Sequence, residues 1–121
     1  LIIGGCSRSS SPTEPLWDSS IAGKTISSLP HQKFSLQLDL NADAGYQWDI
    51  ALTDSNVVHV DSTHCGPKSG NYNQVGGIII ETIYFCTRSI GQSTVTLVEH
   101  RGWEHGMPAI DSLAFTVRVI R

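Results

Sequence analysis

Three short stretches carry residue types that suit recognition, and none has the make-up of a catalytic group. Asn41-Ala42-Asp43-Ala44-Gly45 gathers residues that tolerate tight or left-handed backbone, so it reads as a turn held out between strands. Val75-Gly76-Gly77 closes a long polar, glycine-rich stretch, and Arg101-Gly102-Trp103-Glu104 opens a second long connection with an arginine beside a large aromatic. Trp is a typical anchor of a protein interface. No serine stands in a Gly-x-Ser-x-Gly elbow, and no nucleophile and base can be paired by any known frame, so an enzyme is not expected. His100 and His105 share a connection and His64 adjoins Cys65, yet no histidine pair has zinc-motif spacing. Neither a metal nor a cofactor is expected.

The elements that must hold these stretches are strands. Phe34, Leu36, Leu38 and Leu40 alternate with Lys33, Ser35, Gln37 and Asp39, the period of a strand with one buried face. After the 41–45 turn, Tyr46, Trp48 and Ile50 resume the alternation, which predicts a strand over 46–52. Residues 57–60 form a short strand, and the polar run 61–77, with Gly66-Pro67, Gly70 and Gly76-Gly77, reads as a long loop. Residues 78–87 (IIIETIYFCT) are apolar enough for a strand buried on both faces. Alternation over 93–100 and over 113–119 predicts two more strands, with a loop at 101–111 between them. Residues 23–29 form a weak edge strand, with Ile26 and Leu29 as its buried contacts. Seven short strands predict an all-β, immunoglobulin-like antiparallel sandwich, in which the loops at 41–45, 66–77 and 101–111 share one end.

A chain of 121 residues suits one domain with one core. The net charge of -3 and the lack of any Lys/Arg run leave no electrostatic footprint for nucleic acid. A monomer is expected. Leu1-Ile2-Ile3-Gly4-Gly5-Cys6 resembles the end of a bacterial lipoprotein signal peptide, cut before a cysteine that receives acyl chains. On that reading residues 1–5 are the signal-peptide end, 6–20 are the lipid-bearing Cys6 with a Ser/Pro-rich tether, and 21–121 are the folded domain. The protein is then exported and membrane-anchored, in the periplasm or at the cell surface. The other reading is an unstructured terminus with a chance cysteine.

Setting Cys6 aside leaves Cys65 and Cys86 as an even pair, so a disulfide between them is one reading. Against it, antiparallel neighbours would place them a strand length apart, and a disulfide needs Cα atoms within about 7 Å.

The three stretches together resemble the chagasin family of cysteine-protease inhibitors. There, Asn-Pro-Thr-Thr-Gly-Tyr is followed one residue later by Trp, as Asn41 to Tyr46 is followed by Gln47-Trp48 here. A Gly-Gly ahead of a strand matches Gly76-Gly77 before Ile78, and Arg-Pro-Trp followed by Glu matches Arg101-Gly102-Trp103-Glu104. The resemblance covers roughly residues 23–121, in motif and strand order more than in identity.

It implies three loops inserted, uncleaved, into the active-site cleft of a papain-family cysteine protease. Asp43, Ala44 and Gly45 would lie nearest the catalytic cysteine, flanked by Asn41 and Tyr46. Trp103 would anchor one side, with Arg101 bracing the loop or meeting an acidic group, and Gly76 and Gly77 would cover the other. Tyr46 and Trp48 also suit a supporting role, since they alternate as buried strand residues do, and Trp103 has a second reading as a cap on the core. Ala42 and Gly102 stand where the family has Pro, and Ala44 where Thr is common, so affinity is expected below that of a member with all three. The rival class is a lipid-anchored β-sandwich adhesion or binding module with a non-protease partner.

Overall fold

The computed structural model describes residues 14–40, 45–67, 79–101 and 111–121. They form two four-stranded sheets. One runs β1-β3-β6-β5, with β1 at Leu16–Trp17, β3 at Lys33–Leu40, β6 at Ile79–Thr87 and β5 at Val58–Pro67. The other runs β2-β8-β7-β4, with β2 at Thr25–Ser28, β8 at Asp111–Val119, β7 at Gly91–Arg101 and β4 at Tyr46–Leu52. The fold is the expected immunoglobulin-like sandwich.

Alternation explains which faces meet. Phe34, Leu36, Leu38 and Leu40 of β3 are buried against Val95 and Leu97 of β7 and Leu113, Phe115, Val117 and Val119 of β8, in one cluster. Each such side chain contributes roughly 1.5–3 kcal/mol relative to exposure. Phe34 stacks on Phe85 at 4.9 Å, and Phe115 from the other sheet meets both edge-on, at 6.3 Å and 6.0 Å. This trio joins the sheets through favourable offset and T-shaped ring contacts. β6 lies between β3 and β5 and is largely buried on both faces, taking Glu81, Thr82 and Thr87 inside with Ile83, Phe85 and Cys86.

Three features differ from the sequence expectation. Each sheet carries one parallel pair, β1 with β3 and β2 with β8, so the sandwich is not purely antiparallel. These edges arise because the chain crosses from one sheet to the other through a 3-10 turn at Ser19–Ile21. Asp18 caps that turn by accepting from Ser20 N at 2.9 Å, and Ile21 drops into the core. Leu16–Trp17, ahead of Ile21, is a two-residue strand too short to show a period. The second difference is β5, which runs on to Pro67 where a loop from Asp61 was expected. A register shift between Val60 and Ser62 resets the alternation, and this bulge hides the strand from a period-two reading. Third, Leu29 is exposed. It lies one residue beyond β2, past the last paired position of that edge.

The Cys65–Cys86 bridge is not made: Cys65 is a free, exposed thiol. Cys65 pairs with Glu81 and Cys86 with His59, five residues apart along β6, or about 16 Å at about 3.3 Å per residue. That exceeds the span of a disulfide. Cys86 is fully buried and is itself disulfide-bonded, though not to Cys65.

Strand directions define two poles. β3 and β5 end, and β4, β6 and β8 begin, at what is here called the rim, where β7 also finishes. The opposite pole, the base, is tied by side chains. The Thr87 hydroxyl donates to Leu29 O at 2.7 Å and accepts from Gln32 N at 2.9 Å, which fixes the turn containing His31 at φ 62. Ser93 accepts from Asp54 N at 3.0 Å, and Asp54 from Asn56 N at 2.9 Å, closing the turn between β4 and β5.

Candidate functional site

All three unusual stretches depart from the rim. Segment 41–44 connects Leu40 to Gly45, 68–78 connects Pro67 to Ile79, and 102–110 connects Arg101 to Asp111. Ladder pairs lock these ends together: Leu40 and Pro67 both face Ile79, Tyr46 faces Arg101, and Glu99 faces Asp111. The first set joins the roots of the first two segments, and Tyr46 with Arg101 joins the first to the third. Asn41, Asp43, Ala44, Gly76, Gly77 and Trp103, like Cys6, lie outside the described residues.

Of the residues singled out from sequence, the structure brings Gly45, Tyr46 and Arg101 together. Gly45 has φ 82, a left-handed conformation that side-chain-bearing residues adopt at a cost, and it turns the chain into β4. The guanidinium carbon of Arg101 stands 4.8 Å from the Tyr46 ring centroid. Such cation–π contacts are worth about 0.5–2 kcal/mol, depending on desolvation. Arg101 thus braces Tyr46, and both belong to the footing of the rim. One layer down, Trp48 is 8% exposed and its indole N–H donates to Asp39 O at 3.0 Å. This ties β4 to the end of β3 on both sides of segment 41–44, the supporting role its alternation suggested.

Charged groups beneath and beside the rim were not singled out from sequence. Glu81 of β6 and Glu99 of β7 are both buried. Burial first, and the charge of Glu99 second, raise the Glu81 pKa. Cys65 lies in the same row as Glu81, and its thiol pKa is raised by partial burial and then by that carboxylate. A thiol held protonated is a poor nucleophile. On the outer face of β4 and β7, His100 Nε2 pairs with Asp49 Oδ2, and Gln47 donates to Asp49 Oδ1 at 3.0 Å. Only the cross-strand register brings Asp49 and His100 near one another. Among the described residues no group of three His, Cys, Asp or Glu side chains could hold a metal ion. The arrangement suits a firm frame for presented loops.

Comparison with known proteins agrees with that geometry. The family model described as Chagasin family peptidase inhibitor I42 matches residues 30–119. The fold is similar to that of the cysteine protease inhibitor EhICP2 from Entamoeba histolytica, with a TM-score of 0.78 at 20% identity, over 91% of this chain and 100% of that one. It is similar to Amebosin, with a TM-score of 0.73 at 15% identity, over 88% and 98% of the two chains. PbICP-C, whose structure is of its complex with falcipain-2, gives 0.59 at 14% identity, over 96% and 97%. No curated protein matches the sequence.

Proposed function

The chain belongs to the chagasin family of peptidase inhibitors, and from that premise we propose that it blocks papain-like cysteine proteases by filling their cleft with segments 41–45, 68–78 and 102–110. The observation that carries this reading is the convergence of all three segment roots on one rim, braced by Tyr46 with Arg101 and by Trp48 with Asp39. A cleft that receives extended peptide is blocked by a wedge that offers it no normal scissile bond. Asp43, Ala44 and Gly45 stand nearest the protease's catalytic cysteine, where small side chains permit close backbone approach. Trp103 anchors one flank, and Gly76 and Gly77 cover the other. No step of chemistry falls to this chain; it is an inhibitor and not an enzyme.

Titration of the full chain against a panel of papain-like proteases tests the reading. Stoichiometric inhibition without cleavage is expected, with Trp103→Ala weakening it by about 30-fold, the size of a hot-spot loss near 2 kcal/mol. Absence of inhibition at micromolar protein, or cleavage within 41–45, refutes it and favours a binding module with another partner.

The same proposal includes export and a lipid anchor at Cys6. Gly4-Gly5-Cys6 and the Ser/Pro-rich residues 7–15 support it, and so does the chain's entry into the domain at the base, where Ser35 N donates to Pro15 O at 3.0 Å. A tether attached there leaves the rim clear. Intact-mass measurement of protein extracted from membranes is expected to show acyl chains on Cys6. Finding Cys6 unmodified, or joined to another cysteine, overturns the anchor.

A further inference from the structure

The base is strongly one-sided in composition. Ser28 and Gly91 both pair with Val119, so the residues just past them, Leu29, Ile120 and Ile90, stand side by side across three strands. All three are large apolar side chains left open, 52%, 44% and 53% exposed. Leu16, the fourth exposed large hydrophobic among the described residues, pairs with Ser35 near the start of β3, in the same half of the sandwich. Arg88, Arg118 and Arg121 are exposed at this end, joined by His31 and opposed by Asp54 and Glu14. Among the described residues, the rim half carries Asp39, Glu81, Glu99 and Asp111 against Arg101 and His100. Leu29 is held through its carbonyl by Thr87, the turn before Ile90 by Ser89 N donating to Asn56 O at 3.0 Å, and Ile120 by its own N–H donating to Ser28 O at 2.8 Å.

We infer that the base is a membrane-facing surface that rests on an anionic lipid bilayer. Leu29, Ile90 and Ile120 enter the interfacial layer, while Arg88, Arg118 and Arg121 meet lipid phosphates. Three features select this occupant: open apolar side chains beside arginines, a charge opposite to that of anionic headgroups, and entry of the tether at the same pole. The contact is peripheral, made by side chains that enter the interfacial layer. Its purpose rests on the anchoring reading above. A lipid anchor alone does not set orientation, whereas a docked base selects the one that points the rim outward. Each arginine near an anionic surface adds roughly fivefold to partitioning.

The test is co-sedimentation of the full chain carrying Cys6→Ser, which cannot be acylated there, with phosphatidylcholine vesicles with and without phosphatidylglycerol. Binding is expected only to the anionic vesicles, falling as salt rises. The Arg88→Glu/Arg118→Glu variant is expected to bind at least about tenfold more weakly, and Ile90→Ser/Ile120→Ser to lose a similar factor. Thermal midpoints and protease inhibition, read on the same variants, should stay near those of the parent, because the substituted side chains are exposed and far from the rim. Undiminished binding by the charge-reversed variant overturns the inference, as does equal binding to neutral vesicles or none to anionic ones. So does a dimer that Ile120→Ser dissociates. If inhibition or acylation fails while vesicle binding holds, the earlier readings fall and this surface stands.

Discussion

Trp48→Phe removes one hydrogen-bond donor and part of a buried ring from the layer beneath the rim. The lost bond, indole N–H to Asp39 O at 3.0 Å, is worth about 1 kcal/mol net. Because Trp48 is only 8% exposed, the smaller ring forfeits nearly all the difference in buried area. That difference is on the order of 40 Å², or about 1 kcal/mol at about 25 cal/mol per Å². The sum, about 2 kcal/mol, corresponds to a fall of about 10 °C in the thermal midpoint of a domain this size. The same bond ties the two ends of segment 41–44, so under the proposed inhibitory role losing it also loosens the footing of a segment that enters the protease cleft. A loss of about 1 kcal/mol in preorganisation raises the inhibition constant about fivefold. Urea denaturation and inhibition titration of the variant read the two effects separately. A stability change below about 0.5 kcal/mol refutes the packing reasoning. Complete loss of inhibition with stability intact refutes the supporting role and makes Trp48 a contact residue.

Further expectations concern charge and backbone. The raised pKa of Glu81 means that its contribution to stability is fullest below its ordinary 4.5 and is lost as pH rises through the folded value. Glu81→Gln is therefore expected to be more stable than the parent near pH 8 and equal to it near pH 4 in denaturant melts; a variant less stable at alkaline pH contradicts this. His100 is held above its ordinary 6.5, first by Asp49 and then by the Arg101 carbonyl, while Asp49 is held below its ordinary 3.8, first by His100 and then by Gln47. His100 thus contributes below 6.5 and fades as pH rises through its raised value, and Asp49 contributes above 3.8 and fades as pH falls through its lowered one. Their pair acts between those limits. Asp49→Asn should flatten the decline in denaturation midpoint as pH rises above 6.5, and an unchanged profile would show the pair contributes nothing. Gly91 has φ 151, and a Cβ there would lie 2.8 Å from Val57 Cγ2, so Gly91→Ala is expected to cost about 1–3 kcal/mol in urea melts. A neutral outcome would mean that the base turn yields freely.

Much of this architecture is written in local pattern. Alternating Phe34, Leu36, Leu38 and Leu40 predict both β3 and its buried face, and the apolar run after Ile78 predicts a strand covered on both sides. The turn residues between strands mark the three segments of the rim, because residues that tolerate unusual backbone are concentrated there. What escaped was of another kind. A two-residue strand such as β1 has no period to read, and the bulge after Val60 breaks the alternation of β5 so that a strand looks like a loop. Leu29 looks like core because it is apolar, yet it falls beyond the last pair of an edge.

The order of side chains alone therefore determined the regular strands of the sandwich, the faces they bury and the three stretches suited to recognition, since each depends on neighbours one or two residues away. Only tertiary structure decided that Arg101 covers Tyr46, that Glu81 and Glu99 share the buried layer under the rim, that Cys65 stays free, and that Leu29, Ile90 and Ile120 line up at the base. Those facts depend on register between strands distant in sequence, and a period-two pattern says which way a side chain points without saying what it will meet.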